Sequence, residues 1–167
     1  FMGAGKSTVT RALVDKTGWP LVEMDEEIER EQGMTIREIF DRFGEAQFRD
    51  IESQFILHLK DREPCVISCG GGVVVRPENT EYMKKSGRIV YLTAEPETVY
   101  ERVKDNDDRP ILRGHMNVAY IAQLMEKRRD LYEAAAEITV ATDGKTGEEI
   151  AGEILRRLEE TNETELG

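Results

Sequence analysis

A glycine-rich segment followed by a lysine and a serine opens the chain. Residues 1–8 match G-x-x-x-x-G-K-[ST] from its second position onward. In such a loop, glycines let backbone N–H groups turn toward phosphate groups, and the next helix adds its positive N-terminal end. The motif predicts a nucleotide-binding segment, Gly3-Ala4-Gly5-Lys6-Ser7-Thr8, in which Lys6 contacts the β- and γ-phosphates and Ser7 binds magnesium. The alternative is a glycine-rich helix N-terminus that binds no nucleotide.

Asp25 follows the apolar run Leu21–Met24 directly. Ligands of α/β proteins gather at the carboxyl ends of the strands, so Asp25 is well placed to accept a hydrogen bond from a substrate hydroxyl. An ordinary helix N-cap is the alternative role for this aspartate.

Two further segments could contact a second ligand. Arg49 and Glu52 are spaced i and i+3, which puts them on one helical face, where a surface ion pair is the alternative. The triplet Gly70-Gly71-Gly72 follows the run 65–69 and permits close approach of a ligand to the backbone. A tight turn without a ligand is the alternative for the triplet.

Arginines supply the remaining candidates for anion binding. Arg109 lies in the polar stretch 105–114, which is typical of a lid that closes over phosphates, with a solvated loop as the alternative. Arg128 and Arg129 are consecutive in a helical segment and therefore cannot point the same way. One of them could face a pocket, where a guanidinium suits a carboxylate.

Apolar runs typical of strands alternate with helical spacing along the chain, which predicts an α/β fold with a parallel sheet covered on both faces. We expect one domain, with a helical insertion at about 25–62, a lid at about 105–116 and a frayed tail at about 160–167. The predicted strands are 21–24, 65–68, 88–92 and 138–141. The predicted helices are 7–16, 25–31, 36–43, 47–59, 95–104, 118–134 and 148–158.

Composition narrows the class of protein. The 167 residues carry 34 acidic and 23 basic side chains, a net charge of −11, which argues against general binding of nucleic acid or acidic membranes. No run approaches the ~20 apolar residues of a membrane span, and no leader opens the chain, so we expect a cytoplasmic protein. Cys65 and Cys69 are too far apart along a strand for a disulfide and too few for a zinc site.

Taken together, these segments resemble the shikimate kinase family. The resemblance rests on the ordered set GAGKS, D-x-x-I-E at 25–29, F-R-x-x-E at 48–52, the glycine triplet, Arg109-Pro110 and R-x-x-L-Y at 128–132. It implies a P-loop kinase fold, similar to that of nucleoside-monophosphate kinases. A phosphate loop normally follows a central strand, so we expect the first strand of the sheet to be missing before Phe1.

The resemblance implies transfer of the γ-phosphate of ATP to the 3-hydroxyl of shikimate, with Mg²⁺, by a monomer that binds neither nucleic acid nor membrane. Lys6, Asp25 and Arg109 would be catalytic. The residues implied to bind ATP are Gly3 to Thr8, Arg109 and Lys145, and those implied to bind shikimate are Asp25, Arg49, Gly70, Gly71, Gly72 and Arg128. Ser7 would bind the metal, and Glu23 occupies the place of a metal-site aspartate in the family.

The same motifs allow two other functional hypotheses. One is a kinase of another small hydroxy-acid such as gluconate, or of a nucleoside monophosphate. The other is an inactive nucleotide-binding module or switch. The sequence contains no Asn-Lys-x-Asp motif for guanine, which argues against a GTPase.

Overall fold

The structure is a computed structural model that describes residues 4–104 and 117–166. Helices follow strands along most of the chain, and two short 3-10 helices, Leu59–Asp61 and Gly71–Val75, lie on either side of the second strand. The elements in chain order are α1 (Lys6–Thr17), β1 (Leu21–Glu23), α2 (Met24–Gln32), α3 (Ile36–Leu57), β2 (Val66–Ser68), α4 (Pro77–Ser86), β3 (Val90–Thr93), α5 (Pro96–Val103), α6 (Val118–Ala135), β4 (Ile138–Ala141) and α7 (Gly147–Leu166).

The strands pair in parallel, which confirms the predicted parallel α/β class. β1 pairs with β2, with Leu21 opposite Val66, and β3 pairs with β4, with Val90 opposite Ile138. Within the described residues these are two separate two-stranded sheets. The helix after each strand begins at or near the strand's carboxyl end, so the loops that carry the candidate residues gather at that edge.

Two apolar clusters hold the elements together. The larger one packs α2 to α6 against the sheets, and its fully buried members include Met24, Ile28, Ile39, Ile56, Val99 and Ile121. The smaller one joins α1, β4 and α7 through Val9, Ile138, Val140, Ile150 and Ile154. The smaller cluster therefore fixes the direction of α1, the helix that follows the glycine-rich segment. In the described part of the chain, no helix has the length and apolar character that crossing a membrane requires.

The predicted break between the helices 36–43 and 47–59 is confirmed, because α3 has a kink with non-helical backbone at Gly44, where φ is +83°. Other element boundaries differ from the prediction. Helix α4 was not predicted, because only Tyr82 and Met83 are apolar between Pro77 and Ser86. Helix α7 continues to Leu166, beyond the predicted helix 148–158, and the fraying expected at about 160–167 stays a prediction. Arg88 hydrogen-bonds Asn162 in this last part of α7, and such a contact between distant segments has no local sequence signal.

Candidate active site

The glycine-rich segment leads into the N-terminus of α1. Gly5 is the N-cap residue and has φ +90°, a conformation that favours glycine, and no described side chain caps this helix end. No described side chain therefore satisfies the first N–H groups of α1, and together with the positive end of the helix dipole they suit an anion. Ser7 is exposed in the first turn, and Ala4 is buried beneath the loop.

Lys6 connects this helix to the end of β2. Its ammonium group donates a hydrogen bond to the carbonyl of Cys69, directly before the glycine triplet. Burial raises the pKa of the Cys69 thiol to about 11, against the effect of Lys6, while Glu52 and Asp25 raise it further. These four residues therefore lie close enough to interact electrostatically.

The glycine triplet has no side chains, so two charged side chains can pack directly against its backbone. A Cβ atom on Gly70 would be 3.1 Å from Oδ1 of Asp25, and a Cβ on Gly72 would be 2.1 Å from Nη1 of Arg49. The triplet therefore makes room for two charged side chains of the protein, and its contact with a ligand stays a prediction. Asp25 is in the first turn of α2, where Glu23 is the N-cap residue, so the N-cap alternative for Asp25 is wrong.

Arg49 is buried, with 6% of its surface exposed, and the alternative of a surface ion pair is wrong. Its Nη1 donates to Oε1 of Glu52 at 3.0 Å, and its Nη2 donates to Glu45 at 3.3 Å. Within the described residues, nothing accepts a hydrogen bond from its buried Nε. Burial raises the pKa of Glu52, while the charges of Arg49 and Arg128 oppose this shift. A buried donor without a protein acceptor is costly, which makes Arg49 a candidate for contact with a ligand acceptor.

The two consecutive arginines of α6 separate as predicted. Arg129 is exposed and pairs with Glu126 at 2.8 Å. Arg128 is half-buried and acts electrostatically on Glu52 and on the hydroxyl of Tyr132, whose pKa it lowers against the larger effect of burial. Arg128 is thus the arginine on the side of Arg49 and the glycine triplet.

Sequence reasoning missed Arg102 of α5. Its Nη1 would lie 3.4 Å from a Cβ on Gly5, and it donates to the hydroxyl of the buried Thr142 at 3.2 Å. The neighbouring Asp143 accepts hydrogen bonds from the Thr98 hydroxyl at 2.6 Å and from the Glu95 N–H at 3.0 Å, and these bonds lower its pKa. Since Arg102 and Gly5 are 97 positions apart, only the packing of α5 beside α1 reveals the contact.

The remaining candidates are placed as follows. Among residues 4–104 and 117–166, no three His, Cys, Asp or Glu side chains group closely enough to hold a metal. Magnesium is usually held by a few protein groups together with water and phosphates. The exposed hydroxyl of Ser7 and the half-buried carboxylate of Glu23 suit such a site. Lys145 pairs with Glu153 at 3.0 Å. Gly3, Arg109 and the predicted lid at 105–116 lie outside the described residues.

Comparisons with known proteins agree on one family. The family model described as shikimate kinase matches residues 2–159. The chain is 42% identical over 158 residues to the shikimate kinase of Persephonella marina, covering 95% of this chain and 94% of the relative. It is 42% identical to that of Thermodesulfovibrio yellowstonii, covering 95% and 91%.

Solved structures extend the comparison to the fold. The structure resembles a shikimate kinase from Acinetobacter baumannii in complex with shikimate, with a TM-score of 0.89 and 33% identity over 96% of this chain and 89% of that one. It resembles the shikimate kinase from Aquifex aeolicus with a TM-score of 0.82 and 37% identity over 97% and 94%.

Proposed function

The chain belongs to the shikimate kinase family, and on this basis we propose that it transfers the γ-phosphate of ATP to the 3-hydroxyl of shikimate, giving shikimate 3-phosphate and ADP. The observation that carries this proposal is the buried Arg49 guanidinium. It lies against the backbone of Gly72, and no residue in the described part of the chain accepts a hydrogen bond from its Nε–H. A hydroxy-acid offers the carboxylate that such a donor needs.

Arg49 and Arg128 bind the carboxylate of the substrate. A buried guanidinium with a free N–H forms charge-assisted hydrogen bonds with a carboxylate, and these are stronger than bonds between neutral groups. Arg128 supports this binding from α6 and adds positive charge that offsets the buried Glu52 carboxylate. Fixing the carboxylate orients the ring of the substrate and so determines which hydroxyl faces Asp25.

Asp25 aligns the attacking hydroxyl and accepts its proton. It is exposed at the start of α2, and one of its oxygens lies against the backbone of Gly70. An aspartate within hydrogen-bonding distance of the hydroxyl would orient it for in-line attack. Phosphoryl transfer depends mainly on such positioning and on electrostatic stabilisation.

The N-terminus of α1 and Lys6 bind the phosphates. Lys6 is held beside the glycine triplet by its bond to the Cys69 carbonyl, and from there we expect its ammonium group to reach the phosphates. An ammonium group has three N–H donors, so Lys6 can keep this bond and still contact phosphate. Magnesium, held through Ser7 and with Glu23 near its water shell, would neutralise charge on the phosphates.

Several roles stay predictions. They are the contact of Lys145 with adenine, the contacts of Gly3 and Thr8 with phosphate, and the delivery of Arg109 by the lid. The same applies to the Mg²⁺ requirement and to the proposal of a cytoplasmic monomer that acts on small molecules alone.

The test is an assay of ADP release with and without shikimate, with mass-spectrometric detection of shikimate 3-phosphate. We expect release to depend on shikimate, with gluconate and nucleoside monophosphates inactive as acceptors. ADP release that is insensitive to shikimate would contradict the proposal and favour a nucleotide-binding module.

Arg128→Ala tests the carboxylate contact. Losing a charge-assisted hydrogen bond of about 1.5–3 kcal/mol predicts a KM for shikimate that is higher by roughly 10- to 150-fold. Arg129→Ala is the matched control, because Arg129 pairs with Glu126 at the surface. Equal KM values for the two variants would remove Arg128 from the binding site.

Asp25→Asn tests the proton acceptor. The amide keeps the shape of the side chain but cannot accept the proton, so we expect kcat to fall by about 100-fold or more. Turnover near that of the wild type would exclude Asp25 from the chemistry.

A further inference from the structure

The hydroxyl of Tyr132 makes a hydrogen bond that the proposed function leaves unexplained. Tyr132 is buried in α6, and its hydroxyl donates to the carbonyl of Gly71 at 2.5 Å. The ring stacks on Tyr91 of β3, with centroids 4.9 Å apart and an angle of 19° between the planes. The stack holds the ring, and the ring holds the hydroxyl against the glycine triplet.

Arg128 lies one helical turn before Tyr132 and lowers the pKa of its phenol, but burial has the larger effect and raises it. The phenol therefore stays protonated near neutral pH and donates to the Gly71 carbonyl. Tyr132 thus lies between the guanidinium of Arg128 and the glycine triplet.

Anchoring the Gly71 carbonyl fixes the surface on which Arg49 lies. The carbonyl belongs to the planar peptide that joins Gly71 to Gly72, so holding its oxygen prevents rotation of the whole unit. Glycines restrict their own backbone rotation least, so the short 3-10 helix Gly71–Val75 holds this peptide only weakly without a further contact. A Cβ on Gly72 would be 2.1 Å from Arg49, so a rotation of this peptide would disturb the guanidinium.

We propose that Tyr132 is a positioning residue that locks the Gly71–Gly72 peptide beneath Arg49 and thereby holds Arg49 and Arg128 in one arrangement for the substrate carboxylate. The effect of Tyr132 on substrate binding rests on the proposed function. Its effect on the glycine triplet does not, and the two effects are measured separately.

The first experiment compares hydrogen–deuterium exchange of wild type, Tyr132→Phe and Tyr91→Phe without any substrate. Each change removes one hydroxyl from the same ring stack, but only that of Tyr132 bonds Gly71. We expect faster exchange in residues 69–76 of Tyr132→Phe alone, with exchange in α7 unchanged. Unchanged exchange in 69–76, an equal increase in Tyr91→Phe, or an increase that includes α7 would overturn the local role.

The second experiment measures steady-state kinetics of the same three proteins. The loss of one hydrogen bond predicts a shikimate KM about fivefold higher in Tyr132→Phe, with kcat and the KM for ATP within about twofold of the wild type. Tyr91→Phe should match the wild type. An unchanged shikimate KM in Tyr132→Phe would overturn the positioning role.

A double-mutant cycle with Arg49→Lys tests the coupling. If Tyr132 acts through the support of Arg49, the KM effects of the two changes should be less than additive. Additive effects would contradict the proposal. If the wild type does not phosphorylate shikimate, the proposed function fails, and the exchange experiment still decides whether Tyr132 restrains the triplet.

Discussion

Gly72→Ala is a sharp test of the site, because it adds one methyl group and substitutes no charged residue. The added carbon would be 2.1 Å from Nη1 of Arg49 and 2.5 Å from both Cζ and Nη2, whereas ordinary contacts begin at 3.4 Å. The guanidinium must therefore withdraw by about 1.3 Å. A side chain this long can move at little steric cost, so the effect comes from the bonds that it loses.

The hydrogen bonds that Arg49 would lose determine how large the effect of Gly72→Ala should be. Nη1 lies 3.0 Å from Oε1 of Glu52, and a shift of that size takes the pair beyond hydrogen-bonding distance. Misplacing the donor that binds the substrate carboxylate predicts a loss of about 1.5–3 kcal/mol in binding, or roughly 10- to 150-fold in the KM for shikimate. The melting temperature should fall as well, because Glu52 is buried and would lose its partner.

The assay is steady-state kinetics with each substrate varied in turn, together with thermal unfolding followed by circular dichroism. The KM for ATP should stay within about twofold, because the phosphate-binding segment is not touched. Gly152→Ala is the matched control, since a methyl there meets nothing within 4 Å. A folded Gly72→Ala protein with an unchanged shikimate KM would refute the placement of Arg49 in the binding site.

Two further predictions concern the pKa values of Asp143 and Cys69. Hydrogen bonds from Thr98 and the Glu95 N–H hold the pKa of Asp143 below its ordinary value near 3.8, so this carboxylate stabilises the fold above about pH 4 and the contribution is lost as pH falls through the folded pKa. Asp143→Asn should lower the melting temperature at pH 7 and have a smaller effect near pH 3; equal effects at both would contradict this. Burial raises the pKa of Cys69 to about 11 and so lowers its thiolate fraction, which should make alkylation of the folded protein at pH 8 much slower than that of a free thiol; reaction at the rate of a free thiol would contradict this.

The sequence predicted those features of the fold that depend on local pattern. Apolar runs marked β1 to β4 to within one or two residues, and GAGKS marked the start of α1. The i, i+3 spacing put Arg49 and Glu52 on one helical face, and adjacency alone required Arg128 and Arg129 to diverge. Each of these inferences uses residues that are neighbours along the chain.

Contacts between distant segments could not be predicted in the same way. The donation from Tyr132 to Gly71 joins residues 61 positions apart, and the contact of Arg49 with Gly72 spans 23. Both depend on how α6 and α3 pack around the end of β2. The glycine triplet signalled a close approach of some group, but only the packing identifies that group as Arg49.

Because Arg49 is buried, its side chain loses conformational entropy when the protein folds and not when a ligand binds. A flexible surface arginine gives up rotamer freedom of about 2 kcal/mol when it clamps a ligand. Arg49 is already confined by Glu52, Glu45 and the backbone of Gly72 before any ligand arrives. Its ordering therefore belongs to folding and is not repeated at each binding event, so affinity for the carboxylate is gained through a fold that is less stable than it would otherwise be.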